Sequence, residues 1–366
     1  MDESTRCFKK IAMLQLESGY PYLVYHTNAN QQHALKALGS IKMSNLCTEI
    51  FQLQETSIIN DYGTPDEIKR DICCNLGSLN IVNVMENKRI KEAVHRGMDM
   101  LTAVSDLSHI SNAPTVFKAN RELHSVGLGA MNLHGFFAKN KIRYESEEAK
   151  EFANLFFMTM NYHSIERSME IAMEKNTRFL DFERSDYGTG VYFNPYIEKT
   201  YMPVSDKVKQ LFEGIFIPTK EDWLQLKQQV MKNGLYHAYR MAIAPTGSIS
   251  YLQNSTSSVM PITSVIETRT YGNAATYYPM PYLSKETYWY YAKTAYDMDM
   301  MKLIDLIATI QPHVDQGISC TLFVNSDIST RELAKYYVYA EYKGLKSLYY
   351  TRTNKKSIEE CLSCSI

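Results

Sequence analysis

An amide, a thiol and a carboxylate alternate in one short segment of the chain, at Asn45, Cys47 and Glu49. In an extended chain, residues two apart point to the same side, so these three side chains would share one face. A carboxylate disfavours a neighbouring thiolate, so the pattern suits a protonated S–H that gives up a hydrogen atom beside a group that accepts a proton. The competing interpretation is a loop cysteine with polar neighbours, and the spacing alone favours that one.

Two further pairs of cysteines have spacings with chemical meaning. Cys73 and Cys74 are adjacent in a predicted strand, where neighbours face opposite sides, so at most one of them faces a given site. Packing in the core is the default for both. Cys361 and Cys364 form a C-x-x-C near the C-terminus, and no second pair completes a zinc site, so thiol–disulfide exchange is favoured over metal binding. The other two cysteines are interpreted as structural: Cys7 and Cys320.

Three other motifs are suggestive but ambiguous when taken alone. The turn Pro245-Thr246-Gly247-Ser248-Ile249 could bind a phosphate through its N–H groups and hydroxyls, although a helix cap is the commoner explanation. Tyr349 and Tyr350 could pass an electron and a proton if their rings meet, although two half-buried aromatic side chains are the usual finding. Gly127 and Gly129 lack the third glycine of a dinucleotide-binding turn, so close packing against a helix is expected.

The composition is that of an ordinary globular protein with balanced charge. The 366 residues include 39 Lys and Arg against 40 Asp and Glu, which gives no polybasic face, so we expect no nucleic-acid partner. No apolar run approaches the roughly 18 residues of a membrane span, and the acidic start is not a secretory signal. Seven cysteines are too few for a disulfide scaffold. We therefore expect a cytoplasmic protein with reduced thiols and no membrane partner.

Hydrophobic periodicity predicts strands alternating with helices, which is typical of an α/β architecture. Helices are expected at 5–18, 88–108, 146–175, 303–311 and 330–343, with two more inside 205–234. Strands are expected at 20–25, 73–82, 320–325 and 345–350, and a polar loop at 26–40.

Together these motifs resemble one family, in order from about residue 8 to the end: the large (alpha) catalytic subunit of class Ib ribonucleoside-diphosphate reductase. The segments that carry the resemblance are 17–23, 42–50, 74–80, 124–129, 245–251, 315–317, 348–350 and the terminal Cys361-x-x-Cys364. Cobalamin-dependent class II reductases are a weaker match because they do not need the tyrosine pair. Glycyl-radical class III enzymes are weaker still because their C-terminal glycine motif is missing.

The resemblance implies an α/β fold that is the second half of a ten-stranded α/β barrel with a radical-cysteine finger loop. It divides the chain into four regions. These are a helix and strand closing the first half-barrel (1–40), the finger loop (41–56), the second half-barrel with its helices (57–350) and a flexible redox-active tail (351–366).

The resemblance also implies roles for the chemical groups around the finger loop. Cys47 would become a transient thiyl radical that removes the 3′ hydrogen of a ribonucleotide. Glu49 would accept the 3′-OH proton, and Asn45 would bind substrate hydroxyls. Cys74 would be one of two cysteines that reduce the 2′ position and end as a disulfide. The residues implied to contact the ribonucleoside diphosphate are Asn45, Leu46, Cys47, Thr48, Glu49, Pro245, Thr246, Gly247, Ser248 and Ile249.

Further roles follow for the end of the chain. Tyr349 and Tyr350 would relay the radical from a small subunit to the finger loop. Cys361 and Cys364 would re-reduce the active-site disulfide and then react with a thioredoxin or glutaredoxin-like protein. The resemblance implies no metal and no cofactor bound by this chain, since a dimetal-tyrosyl small subunit would supply the radical.

The family's chains are about twice as long, which implies a missing N-terminal half. That half would hold the allosteric nucleotide sites, the first half-barrel and the partner of Cys74. The Met1 start and the C-terminal C-x-x-C favour the product of a split gene over a truncated chain. We expect reduction of ribonucleoside diphosphates only in complex with that half and the small subunit. The alternative is an inactive half-chain that binds and modulates the small subunit.

Overall fold

Helices alternate with short strands in the computed structural model, which describes residues 3–271 and 274–354. The helices are α1 (Glu3–Ser18), α2 (His26–Gln31), α3 (Ile81–Glu86), α4 (Ile90–Leu107), α5 (Pro114–Leu123), α6 (Leu133–Lys139), α7 (Glu147–Lys175), α8 (Asn194–Glu198), α9 (Asp206–Leu211), α10 (Lys220–Asn233), α11 (Gly247–Leu252), α12 (Tyr288–Tyr291), α13 (Met300–Ile310) and α14 (Thr330–Tyr342). The strands are β1 (Leu23–Val24), β2 (Leu76–Asn80), β3 (Gly127–Met131), β4 (Ile266–Tyr271), β5 (Ala274–Pro279), β6 (Leu322–Asn325), β7 (Ser347–Leu348) and β8 (Thr351–Asn354). None of these helices combines the length and apolar character that a membrane span requires.

Five chain segments lie side by side in one parallel row. β2 pairs in parallel with β3, and segment 239–243 follows on the other edge of β3 through a bridge between Leu128 and Met241. A second parallel bridge joins Ile243 to Ile318, and the chain runs on from there into β6, which pairs in parallel with β8. β1 runs antiparallel to β7 at the last edge. The α/β architecture is confirmed, and the described residues leave the row open rather than closing it into a barrel.

The longest helix, α7, is also deeply buried. Its start is fixed by Ser146, whose side-chain oxygen accepts a hydrogen bond from the Ala149 N–H at 3.2 Å, and its end by Asn176 in the left-handed conformation. Because α4, α10 and α13 all pack against it, its apolar residues occur on every side instead of forming one stripe. Phe152 and Phe156 are fully buried there. α4 also contacts β2 and β3, so the α4–α7 pair covers the first strands of the row.

The predicted long helices are confirmed within a few residues of their bounds, but the predicted loop at 26–40 is partly wrong because it contains α2. Tertiary hydrogen bonds stabilise this short polar helix. The Asn28 side-chain amide donates to the carbonyl oxygens of Glu341 and Leu345 at 2.7 and 2.8 Å. Ala29, which belongs to this helix, is buried. No local pattern in the sequence indicates these contacts.

Two predicted boundaries also need correction. The strand predicted at 73–82 ends at Asn80, because the Asn80 side chain accepts a hydrogen bond from the Val82 N–H at 3.2 Å and begins α3. The tail predicted from residue 351 starts too early, because residues 351–354 form β8 and pair with β6. The rest of that tail lies outside the described residues.

Gly129 lies where two strands of the row approach closely. A Cβ atom built on it would lie 2.4 Å from the Ala242 carbonyl oxygen and 3.2 Å from the Ile243 Cα. The close packing predicted for the glycine pair is therefore present, but not against a helix: a Cβ on Gly127 would meet the Leu76 and Ala242 side chains, and one on Gly129 would meet the backbone of segment 239–243. Backbone atoms cannot rotate away as a side chain does.

We expect Gly129→Ala to lower the free energy of unfolding by about 2 kcal/mol or more, because the added methyl group overpacks two backbone segments. Urea denaturation measures the difference. Gly247→Ala is the matched control, since its Cβ would meet no atom within 4 Å. A Gly129→Ala protein as stable as this control would contradict the packing described here.

Candidate active site

The predicted finger loop, residues 41–56, contains no helix and no strand. Its chain turns sharply: Thr48 has a φ of 61°, and its N–H donates to the Asn45 carbonyl oxygen at 3.2 Å. The Asn45 side-chain oxygen accepts hydrogen bonds from the N–H groups of Glu49 and Ile50, at 3.1 and 3.0 Å. The extended conformation considered for this segment is therefore wrong. Asn45 closes a turn instead.

This turn is bound to the parallel row by hydrogen bonds. The Gly317 N–H donates to the Glu49 carbonyl oxygen at 2.7 Å. The Ser319 hydroxyl lies 2.6 Å from the Cys47 carbonyl oxygen and 3.1 Å from a Glu49 carboxylate oxygen, both of which accept from it. A single serine thus holds the backbone of the thiol residue and the side chain of the carboxylate residue together.

Thr48 is held in its left-handed conformation from two sides. The Ser347 hydroxyl donates to the Thr48 carbonyl oxygen at 2.8 Å. A Cβ at Gly317 would come within 2.9 Å of the same oxygen, so only glycine fits opposite this turn. The Thr48 hydroxyl oxygen is buried and has no hydrogen-bond partner among the described residues. An unpaired buried hydroxyl is costly, so a bound ligand or partner chain would be a favourable acceptor for it.

Glu49 is the buried acid of the site, with 1% of its surface exposed. Burial raises its pKa above the ordinary value, although hydrogen bonds from Asn45 and Ser319 partly oppose the shift. A carboxylate with a raised pKa is a stronger base than an exposed one. Its environment therefore suits proton transfer.

Four tyrosine rings extend from the thiol in a continuous chain of contacts. The Cys47 Sγ lies 3.5 Å from the Tyr349 hydroxyl oxygen. The Tyr349 ring contacts that of Tyr350 edge to face, with centroids 4.6 Å apart, and that of Tyr22 at 4.8 Å. Tyr20 contacts Tyr22 at 5.0 Å. The predicted contact between the adjacent pair is present, and the pair adjoins the thiol.

The tyrosine pair lies between β7 and β8, and backbone hydrogen bonds fix its geometry. The Tyr349 N–H donates to the Cys320 carbonyl oxygen at 2.8 Å, and the Tyr350 carbonyl oxygen accepts from the Leu322 N–H at 3.2 Å. Desolvation and the Cys47 contact raise the pKa of Tyr349 far above its ordinary value. The phenol therefore keeps its proton, as transfer of a whole hydrogen atom requires.

Cys73 and Cys74 divide as the sequence predicts, with the first buried and the second exposed. Desolvation, followed by the charges of Glu49 and Cys47, raises the pKa of Cys74 to about 11, while a hydrogen bond from Asn45 opposes the shift. Cys74 therefore adjoins the turn and remains a thiol at neutral pH. Cys73 Sγ is 3.4 Å from the donating Asn75 amide.

A cavity of about 450 Å3 lies beside these groups. Ser319, Tyr349 and Tyr350 line it together with Pro245 and Gly247. Its volume lies within the roughly 300–1,000 Å3 range of small-molecule sites. The cavity therefore joins the tyrosine pair to the predicted phosphate turn.

Only part of the predicted phosphate turn faces this cavity. Thr246 is nearly buried and left-handed, and its hydroxyl oxygen accepts the Ser258 N–H at 2.7 Å. Ser248 and Ile249 are exposed in the first turn of α11, outside the cavity lining. The turn starts α11, but the Thr246 side chain makes no capping hydrogen bond, and phosphate binding by the turn stays a prediction.

The comparisons with known proteins agree on one family. The family described as "Ribonucleotide reductase, barrel domain" matches residues 3–351. The chain is 52% identical to ribonucleoside-diphosphate reductase subunit alpha of Bacillus subtilis, over 99% of this chain and 51% of that protein. The subunits alpha of Mycoplasma pneumoniae and Helicobacter pylori are 41% and 30% identical, over 96% of this chain and 50% and 49% of theirs.

This chain belongs to the ribonucleotide reductase barrel-domain family. It spans about half the length of these relatives. In this chain, the structure brings together the finger-loop residues, Cys74 and the tyrosine pair. Cys361 and Cys364 lie outside the described residues.

Sequence reasoning missed several polar residues of the candidate site. Ser319 precedes β6, and nothing in its neighbours marks it as the link between the turn and the parallel row. Tyr22 lies in a motif that was noted, but not as a neighbour of Tyr349. Arg269 and Arg352 also line the cavity. Arg269 lies on β4 and Arg352 on β8, so no local sequence pattern could have shown that both line one cavity.

We expect Glu49→Gln to be more stable than the natural chain at pH 8. Burial raises the Glu49 pKa, so the natural protein loses free energy of unfolding as the pH rises through the folded-state pKa, and glutamine avoids that loss. The difference should shrink as the pH falls, because the protonated carboxyl carries no desolvation penalty for charge. Urea denaturation between pH 5 and 8 tests this.

Glu148→Gln is the control, since Glu148 is exposed at the start of α7. Its effect on stability should stay nearly constant over the same pH range. If Glu49→Gln behaved in the same way, the raised pKa of Glu49 would be wrong.

Proposed function

We propose that this chain is the catalytic part of a class Ib ribonucleoside-diphosphate reductase alpha subunit, which reduces ribonucleoside diphosphates by thiyl-radical chemistry. The observation that carries the proposal is the 3.5 Å contact between the Cys47 thiol and the Tyr349 hydroxyl. An oxidised Tyr349 takes the hydrogen atom of the thiol, so that Tyr349 returns to a phenol and Cys47 becomes a thiyl radical. Tyr350, in edge contact with Tyr349, passes the oxidising equivalent inward from a radical-generating small subunit.

The thiyl radical then acts on the ribose. Cys47 takes the 3′ hydrogen atom from the substrate and regains its S–H bond, and after reduction at the 2′ position it returns a hydrogen atom to the 3′ carbon and becomes the thiyl radical again. Glu49 accepts the proton of the 3′-OH, for which its burial and raised pKa are suited. Asn45, which closes the turn, contacts the ribose hydroxyls with its amide, and the buried Thr48 hydroxyl is a further donor.

Reduction at the 2′ position needs two thiols. Cys74 is one of them, and the missing N-terminal half supplies the other. The two thiols give up two hydrogens and become a disulfide, while the substrate loses its 2′-OH as water and gains a hydrogen at that carbon. Cys361 and Cys364 reduce this disulfide by thiol–disulfide exchange and become a disulfide themselves. A thioredoxin or glutaredoxin-like protein then reduces the Cys361–Cys364 disulfide.

The diphosphate occupies the cavity next to the tyrosine pair. The 245–249 turn borders it, and backbone N–H groups at the start of α11 are donors for phosphate oxygens. Arg269 and Arg352 line the same cavity and add positive charge. Glu267 adds a carboxylate, which accepts a hydrogen bond from the Tyr251 hydroxyl.

The missing half completes the barrel. The described row of parallel segments is open, and an open edge of unpaired N–H and C=O groups favours pairing with further strands. We infer that five strands from an N-terminal half close a ten-stranded barrel around the finger loop. The regions 1–40, 41–56 and 57–350 then keep their proposed roles, and the redox tail starts after β8.

The second candidate is an inactive half-chain that binds and modulates the small subunit. The side chains around Cys47 favour the catalytic function over this candidate, because binding another subunit does not need a buried base or a thiol in contact with a phenol. Reconstitution distinguishes the two. The chain is combined with the N-terminal half of the Bacillus subtilis subunit alpha, a radical-generating small subunit and dithiothreitol, and deoxyribonucleoside diphosphate is measured.

We expect the reconstituted complex to reduce ribonucleoside diphosphates, and Cys47→Ala to lose at least about a thousandfold in turnover, because alanine has no S–H to give. Cys7→Ala is the matched control, since Cys7 is an exposed cysteine on α1. Turnover by Cys47→Ala near that of the control would exclude the radical assignment. A complex that forms but never turns over would support the modulating half-chain.

We expect Tyr349→Phe to bind substrate normally and to stop turnover, because phenylalanine keeps the packing but has no O–H to exchange with the thiol. Tyr342→Phe, at an exposed tyrosine, is the control. Rapid-freeze electron paramagnetic resonance should then show the small-subunit radical persisting after substrate is added. Loss of that radical at the normal rate would show that Tyr349 is not on the path.

A further inference from the structure

A group of three metal-ligating side chains lies on the helical layer, apart from every residue of the reductase site. His95 projects from α4, and His163 and Glu166 project from α7. The Glu166 Oε2 lies 3.0 Å from His95 Nε2 and 2.8 Å from His163 Nδ1. All three ligand atoms lie within 4.8 Å of one another. Ligands of a tetrahedral zinc ion, each about 2.0 Å from the metal, are about 3.3 Å apart, so a small adjustment would fit one ion.

Helix geometry accounts for the convergence. His163 and Glu166 are three residues apart, so they lie on the same face of α7. That face packs on α4, where His95 completes the group. The His163 side chain is only 3% exposed, whereas those of His95 and Glu166 are 17% and 19% exposed. The site is therefore rigid on its inner side and open to ions from solvent.

The neighbours of the group also suit a metal. A carboxylate oxygen of Glu170 lies 3.8 Å from His95 Nδ1, the ring nitrogen that faces away from the other ligands. Metal-binding histidines usually direct their second nitrogen to such a carboxylate, which orients the ring.

One cation already contacts this group. Lys91 Nζ donates to the other oxygen of Glu166, Oε1, at 2.9 Å. Oε2 of the Glu166 carboxylate faces the two imidazoles. Lys91 is half exposed and opposes a second cation without occupying the ligand oxygen.

We propose that His95, His163 and Glu166 bind a divalent transition metal of the zinc type, which joins α4 to α7. Two imidazoles and one carboxylate are ligands that zinc accepts, with water in the fourth position. On binding, each imidazole carries its single hydrogen on the ring nitrogen that faces away from Glu166 Oε2, so the nitrogen that faces Oε2 binds the ion through its lone pair. This site is independent of the reductase activity proposed above.

The test uses the full chain, freed of metal with a chelator and titrated with Zn2+ against a chromophoric competitor. Because loss of an outer carboxylate alone costs about 10–100-fold in affinity, we expect His95→Ala, His163→Ala and Glu166→Gln each to lose at least about 100-fold at this site. Glu170→Gln should lose about tenfold or more. Lys91→Ala should bind more tightly, since it removes the competing charge.

The controls separate this site from the cysteines, which also bind zinc. His109→Ala, at an exposed histidine outside the group, and Cys361→Ser with Cys364→Ser should both keep the site. Bound Co2+ should give a visible spectrum without thiolate-to-cobalt charge transfer. Zn2+ should raise the melting temperature of the natural chain but not of His95→Ala, whose side chain is near the surface and whose folding is checked by circular dichroism.

Equal zinc affinity in the natural chain and in the three ligand variants would overturn the proposal. So would zinc binding that disappears in the cysteine variants alone. In either case the group would be an ion-pair cluster centred on Glu166.

Discussion

The hydrogen bonds between the finger-loop turn and segment 317–319 hold the reactive groups of this protein in place. Gly317 and Ser319 fix the backbone on both sides of Thr48, and Ser319 also holds the Glu49 carboxylate. The turn has no helix or strand of its own, so it has no other source of rigidity. A thiol that must meet a phenol at hydrogen-bond distance depends on this support, because a displacement of about 1 Å is enough to lower catalytic rates severely.

Buried charge beneath the row keeps segment 317–319 in position. The Asp315 carboxylate accepts hydrogen bonds from the N–H groups of Arg240 and Met241, at 2.9 and 2.7 Å. The Lys346 ammonium group donates to the Asp315 carbonyl oxygen at 2.6 Å. The Arg240 guanidinium lies 3.5 Å from the Asp315 carboxylate, and removing one partner of such a buried ion pair costs about 3–5 kcal/mol, so this arrangement resists distortion. It connects three neighbouring segments of the row immediately below the finger loop.

The same row explains how a chain of this length relates to proteins about twice as long. Its helices cover their own strands, and the buried core is extensive. The active-site groups nevertheless lie along one open row, with Cys74 exposed and the Thr48 hydroxyl without a partner among the described residues. A second set of strands would enclose these groups and exclude water, which strengthens every electrostatic interaction within the site.

The sequence by itself determined the local features and the family. The long helices predicted at 88–108 and 146–175 are readable from hydrophobic periodicity, and they are present as α4 and α7. So are the adjacency of the tyrosine pair and the opposite facing of Cys73 and Cys74. Tertiary structure alone decided the contact between Cys47 and Tyr349, which are 302 residues apart. It also turned the finger loop where an extended segment was considered, because a left-handed Thr48 is stable only when Gly317 and Ser347 hold it. Local propensity cannot encode contacts between distant segments, and those contacts form the site.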